Sequence, residues 1–462
     1  MGILIKNGEI VTAKDRYIGD IYCADGKILR IGMNLEKESA KDEVIDASGQ
    51  FVFPGLVDPH THMELPFMGT VSADDFENGT AAAIAGGTTT IIDFVVPARG
   101  ANIFDALKEW KEKAKKAVAD YAFHMALTGW FDHTAEDMRR CVQEEGVTSF
   151  KVFMAYKGAI GIDDGELWQA LKAAGKLGCV LSVHAENGDV IAHLQKKFLA
   201  EGNTEPKYHA LSRPSPLEGE ATARFLALAR MTGAEVYVVH MTCREAVDAL
   251  AKAQRGGQKA YGETCPQYLL LDDSVYEKPN FEGAAYVMSP PIRPKGHGEA
   301  LWQGLQNGTL QTIGTDHCPF MQKGQKEMGR GDFTKIPNGA AGVENRLGLI
   351  YTYGVEAGRF DLCRMVDLLA TAAARIFHLY PQKGTIVPGA DADLVVYDPE
   401  GETTIAAARQ VSKCDRNIFE GMKVKGRPTY VIAAGRIQYK DGDLKVERGK
   451  GRFLKRYLTV AQ

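Results

Sequence analysis

The chain has 462 residues, more than one compact core accommodates, so two domains are expected. Apolar residues make up 45% and charged residues 25%, which excludes a chain that is mainly disordered. With 55 basic against 59 acidic residues and a formal net charge of −4, nothing in the balance calls for a nucleic-acid partner.

The opening MGILIKNGEIVTAKDRYIGD does not read as a secretion signal, because Lys6, Asn7 and Gly8 break its apolar stretch and no small-residue cleavage site follows. ILIKNGEIVT reads as a hairpin around Asn7-Gly8, and DIYCADGKILRIG as another around Asp25-Gly26. The far end, GTIVPGADADLVVYDP and then MKVKGRPTYVIAAGRIQYKDGDL, has the same texture. Neither end is long enough for its own core. Residues 1–52 and 379–440 are therefore expected to pair into one small β-sandwich, with 441–462 as a tail open to an oligomer contact.

Across residues 53–378 apolar strands alternate with helices. The strands are FVFPGLVDPHTH, TTTIIDFVVP, YAFHMALTG, TSFKVFMAY, CVLSVHAEN, VYVVHMT, AYGETCP and LQTIGTDHCPF. Between them lie helical stretches such as SADDFENGTAAAIAGG, DGELWQALKAAGKLG, LEGEATARFLALARMTG and CREAVDALAKAQRGG. Alternation implies parallel pairing, and eight such units match an α/β chain closed into a (β/α)8 TIM barrel. An open doubly wound sheet would place a glycine-rich phosphate turn after its first strand, where this chain has Asp-Pro-His-Thr-His. The densest basic stretch, Lys108 to Lys116, reads as the solvated face of an amphipathic helix. No window approaches the roughly 20 apolar residues of a membrane span, so no membrane partner is expected. The eight cysteines are scattered without a CxxC pair, as for reduced thiols in a cytoplasm.

A barrel places its chemistry at the carboxyl ends of its strands. His60 and His62 end strand one, and two residues apart they point to the same face. Lys151 lies within strand four, His184 ends strand five, His240 strand six and Asp316 strand eight. A lone histidine at a strand end is an ordinary core residue. Four with a carboxylate on one rim suit zinc or a similar divalent ion. Asp316 reads either as a helix cap or as a ligand and proton carrier. His317 is excluded as a ligand, since adjacent strand residues face opposite ways. Lys151, in the apolar run SFKVFMAY, either snorkels to the surface or becomes an anionic carbamate that bridges two metals.

The segments VFPGLVDPHTHMELPF, AGGTTTIIDF, TSFKVFMAYK, VHAENGDVI, RPSPLEGEAT, GETCPQYL, SPPIR, GRGDFTKIPNG and FEGMKVKG run in order over nearly the whole length. In them the chain resembles the dihydropyrimidinase and D-hydantoinase family of the amidohydrolase superfamily. The resemblance implies a barrel with a β-sandwich and a homotetramer. It implies two divalent cations, zinc being expected: His60 and His62 on one, His184 and His240 on the other, and carbamylated Lys151 bridging both. Asp316 is then ligand and general base, and Tyr156 donates to the developing oxyanion. Ser289 and Asn338 hold a small cyclic amide, and Leu65 and Phe153 contact its ring substituent.

The reaction so implied is hydrolysis of a 5,6-dihydropyrimidine or 5-substituted hydantoin to an N-carbamoyl amino acid. An allantoinase-like reaction is the alternative. A non-catalytic scaffold of the collapsin response mediator type is disfavoured, because every ligand position is filled. Dihydroorotases carry His-x-His-x-Arg, whereas Glu64 stands here and is expected to repel an anionic substrate. Met63, Leu65, Phe67, Phe153 and Ile160 are expected to form an apolar lid.

Overall fold

A computed structural model of the protein describes residues 2–458. Eight parallel strands follow one another in chain order: Leu56–Thr61, Thr88–Val95, Asp120–Ala126, Ser149–Phe153, Val180–His184, Glu235–Val238, Ala260–Thr264 and Thr312–Ile313. They are strands one to eight below. The ring closes where Thr61 bridges His317 and the His62 amide donates to the His317 carbonyl at 2.9 Å. Thr315 reinforces the seam, its hydroxyl donating to Asp58 Oδ2 at 2.6 Å. The architecture is the (β/α)8 barrel expected from the alternation.

Helix boundaries follow from local chemistry. The helix Asp164–Leu177 starts at a reciprocal capping box between Asp163 and Glu166 and stops at Gly178, which takes φ +70°. A second box, between Asp75 and Asn78, starts Phe76–Ala85. Ile103–Ala114 buries Ile103, Leu107, Trp110 and Ala114, while Lys111 and Lys113 pair with Glu145 and Glu109. The basic stretch is thus a helix face, as its spacing implied. Inside the barrel, Val57, Ile92, Ala122, Val180 and Tyr237 form a packed floor that also takes in Leu454.

The chain ends share one nine-stranded sheet. Ile3–Val11 pairs antiparallel with Arg16–Ala24, and runs parallel to Glu43–Asp46 on its first half and to Phe51–Pro54 on its second. Leu394–Thr404 adds antiparallel to Phe51–Pro54, and Lys423–Ala433 continues the sheet. Ile5, Ile10, Ile21, Val52, Leu394 and Ile432 make a core separate from that of the barrel. One expectation is corrected. Asn7-Gly8 is not a hairpin turn, since Ile3–Val11 is a single strand whose register shifts between Ile5 and Gly8. Asn7 takes φ +59°, and the left-handed preference that suits a turn suits a bulge equally. A Cβ on Gly8 would lie 2.5 Å from Val52 Cγ2, so the glycine also lets the neighbouring strand approach. Asp25-Gly26 is the turn expected, with φ +51° and +76°.

Part of the C-terminal segment docks on the barrel of its own chain. The Tyr121 amide donates to the Arg452 carbonyl, and the Leu454 amide to the Tyr121 carbonyl. Buried Arg456 donates to Ser149 Oγ at 2.9 Å and to the Phe123 carbonyl. Of the expected tail 441–462, residues 459–462 lie outside the described residues. Among the described residues no helix is long and apolar enough to cross a membrane. All eight cysteines are free thiols.

Candidate active site

The carboxyl ends of the strands open into one cavity of about 880 Å³. All eleven residues singled out above line it: His60, His62, Lys151, His184, His240 and Asp316 below, with Tyr156, Ser289, Asn338, Leu65 and Phe153 around and above. Three of them stand in left-handed backbone: Tyr156 at φ +58°, His240 at +38° and Asp316 at +53°. Such conformations cost an L-residue about 1–3 kcal/mol each and persist only where the surroundings impose them. Asp316 caps no helix. It turns inward instead.

His60 Nε2 and His62 Nε2 converge on the same oxygen, Asp316 Oδ1, at 3.1 and 3.2 Å. His60 Nδ1 lies 2.6 Å from Glu263 Oε1. That carboxylate fixes a proton on Nδ1, which leaves Nε2, facing a second carboxylate, as the atom that takes either a metal or a second proton. His184 repeats the arrangement: Nε2 meets Glu186 at 2.8 Å, which turns the Nδ1 lone pair to His240 Nε2 at 3.0 Å. The Nδ1 atoms of His62 and His240 are buried without a partner. Lone pairs aimed at one another in a buried space are costly unless a cation lies between them. Imidazole nitrogens with a carboxylate form a donor set for a divalent ion, and one atom each from His60, His240 and Asp316 lies within 4.8 Å of the others. The residues therefore fit the cations that the barrel's chemistry implies.

The electrostatics agree. Burial pushes His62 down to about 4 and lowers His184 and His240, so all three are neutral and free to ligate. Burial also opposes charge on His60, but Glu263 and Asp316 outweigh it and raise the imidazole to about 9. Without a metal, the positive charge these carboxylates demand is met by a proton. Burial would raise the Asp316 carboxyl, yet His60 and the hydrogen bonds from both imidazoles hold it well below the usual range. Lys151, 1% exposed, does not snorkel. Burial lowers its amine to about 7, against weaker support from Asp316 and Glu263. A neutral amine is the form that adds CO₂.

Tyr156 closes the cavity from the loop after strand four, its ring 5.3 Å from that of His184. Burial raises its pKa, so the hydroxyl stays protonated as a donor beside Ser289 and Asn338. Asn338 Nδ2 donates to Ser289 Oγ at 3.0 Å. Leu65, Phe67, Phe153 and Ile160 form an apolar wall of the cavity. Met63 is not part of it. Its sulfur packs against Gly79 of the helix Phe76–Ala85, on the face opposite His60 and His62, and the left-handed turn at Glu64 (φ +52°) then ends the strand alternation. Glu64 also departs from expectation, pairing with Lys116 at 2.8 Å outside the cavity lining, so it repels nothing in the site. His317 faces away as inferred, its Nε2 3.0 Å from Asp74.

Three contributors were missed from the sequence. Glu263 on strand seven receives His60 Nδ1, the His240 amide at 3.0 Å and the Tyr237 hydroxyl at 2.8 Å. Glu186 orients His184, and buried Arg213 pairs with Glu186 at 2.6 Å. The available signal was a carboxylate inside GETCP, and one two residues past His184.

Residues 51–438 match the amidohydrolase family. The chain belongs to this family of barrel hydrolases. Within it, the chain is similar to the D-hydantoinase of Geobacillus stearothermophilus, 52% identical over 454 residues that cover 98% of this chain and 96% of that protein. A dihydropyrimidinase of Arabidopsis thaliana is 44% identical over 98% of this chain and 85% of its own length. The crystal structure of dihydropyrimidinase from Brevibacillus agri superposes with a TM-score of 0.97 at 47% identity, covering 99% of each chain.

Proposed function

We propose that this cyclic amidohydrolase opens a 5,6-dihydropyrimidine or a 5-substituted hydantoin to the N-carbamoyl amino acid. The observation that carries the reading is the convergence of four imidazoles, Asp316 and buried Lys151 beneath one largely apolar cavity. His60, His62 and Asp316 would hold one cation and His184 with His240 the second, Lys151 bridging them as its carbamate. Zinc is the metal this donor set favours. Two such cations, when bound, supply Lewis acidity and a water that ionises near neutral pH.

The chain's own groups do the rest. Asp316 takes the proton from the attacking water and returns it to the ring nitrogen as the C–N bond breaks. The Tyr156 hydroxyl donates to the carbonyl oxygen as charge grows on it. Ser289 and Asn338 hold the ring amide, and the wall with Leu65 and Phe153 takes the substituent. Glu263 and Glu186 keep the imidazoles in one tautomer. A homotetramer in the cytoplasm completes the reading, supported by the family membership and the free thiols.

The test is a substrate panel on metal-replete protein: dihydrouracil, dihydrothymine, hydantoin, phenylhydantoin, allantoin and dihydroorotate. Opening of the dihydropyrimidines or hydantoins is expected to dominate. Turnover confined to allantoin or dihydroorotate would refute the assignment.

A further inference from the structure

Outside the cluster of ligands, one buried lysine among the described residues stands without a carboxylate partner. Lys326, in the loop after strand eight, is 1% exposed. The titratable groups that act on it are the thiols of Cys414 and Cys318. Its amine donates to three backbone carbonyls, those of Val287 at 2.8 Å, Pro337 at 2.7 Å and Gly339 at 2.7 Å. Burial pulls its pKa down to about 7, but three carbonyl acceptors are matched only by the three donors of the ammonium, where a neutral amine offers two. Burying a charge without a counter-charge is unfavourable, so hydrophobic packing does not explain a lysine here.

The three carbonyls have one thing in common. Pro337 and Gly339 flank Asn338, and Val287 precedes Ser289 by two residues. The two segments otherwise meet through the Gly339 amide on the Val287 carbonyl at 3.0 Å and through the bond from Asn338 to Ser289. We infer that Lys326 is a positioning residue that staples these segments together and so sets the Ser289–Asn338 pair that grips the substrate ring. A grip on the ring needs the Ser289 and Asn338 side chains held in place before the substrate arrives, and one ammonium fixes the three carbonyls beside them at once. This rests on the reading that Ser289 and Asn338 hold the substrate.

The experiment is a double-mutant cycle on metal-loaded, full-length protein with Lys326→Met, Asn338→Ala and the pair. Lys326→Met is expected to raise KM about tenfold with a smaller change in kcat and no change in bound metal. In the Asn338→Ala background its effect on KM should largely vanish, because the group it positions is gone. A wild-type KM in Lys326→Met, or an effect that multiplies in full onto Asn338→Ala, overturns the positioning role. A wild-type KM in Asn338→Ala refutes the underlying reading instead, and the proposal falls with it. If Lys326→Met yields no folded protein, Lys326→Gln, which keeps two donors, is read by the same cycle.

Discussion

At the scale of single side chains the roles separate cleanly. Asp316 sits between His60 and His62, and with the ligand and proton-carrier role proposed for it Asp316→Asn should retain metal yet lower kcat by about 10²–10⁴-fold. Metal analysis and kinetics on the same sample check this, and near-native turnover would exclude the shuttle. Tyr156→Phe should depress kcat more than it raises KM, since its hydroxyl serves a charge that grows in the transition state. Lys151→Ala should bind fewer metals, with partial recovery in added short-chain carboxylic acids. The intact mass of active protein should exceed the sequence mass by one CO₂. The residues that converge at the cavity floor were legible because each is a polar residue ending or interrupting an apolar strand. Glu263 was not, because its worth lies in contacts to His60, His240 and Tyr237, which only the closed barrel brings together.

Elements set where those side chains point. The loop carrying Tyr156 is anchored by the capped start of Asp164–Leu177, where Asp163 and Glu166 satisfy each other's backbone. Asp163→Ala should cost about 1 kcal/mol, read as a lowered thermal midpoint with the metal site intact. Alternation served well inside the strands, where His60 and His62 share a face. It held for Met63, which faces away from His60 and His62 into the packing, and failed at Glu64, whose left-handed turn sends Leu65 into the cavity instead. Asn7-Gly8 failed for a related reason: a local preference for positive φ does not say whether the chain reverses or only bulges.

Across the whole molecule, barrel, terminal sheet and tail meet at one buried ionic cluster. Lys383 pairs with Asp120 of strand three and with Asp393 at 2.6 Å each, and with Asp391 at 3.0 Å. Arg452 joins Asp120 at 2.6 Å and Asp391 at 2.7 Å. Burial opposes charge on these carboxylates, but Lys383 and Arg452 together outweigh it and lower Asp120 and Asp391, while Asp393, Asp120 and Asp391 raise Lys383 against its own burial. A lowered carboxylate stabilises the fold above its unfolded pKa of about 3.9 and ceases to as pH falls below it. A raised lysine stabilises below about 10.4 and ceases to as pH climbs past that. A plateau of thermal stability between these limits is expected, and Lys383→Met should remove about 3–5 kcal/mol by stranding buried Asp393 and leaving Asp120 and Asp391 to Arg452 alone among the cluster's cations. No spacing rule could have revealed this cluster, in which Asp120 lies 263 residues from Lys383 and 332 from Arg452.

The most direct measurement counts metal per chain and ring opening of dihydrouracil and hydantoin in one preparation, before and after chelation and reloading. Two divalent ions per chain, activity lost as they leave and regained as they return, are the expected result. Full ring-opening activity in metal-stripped protein, or a replete protein inert toward both substrates, would contradict it.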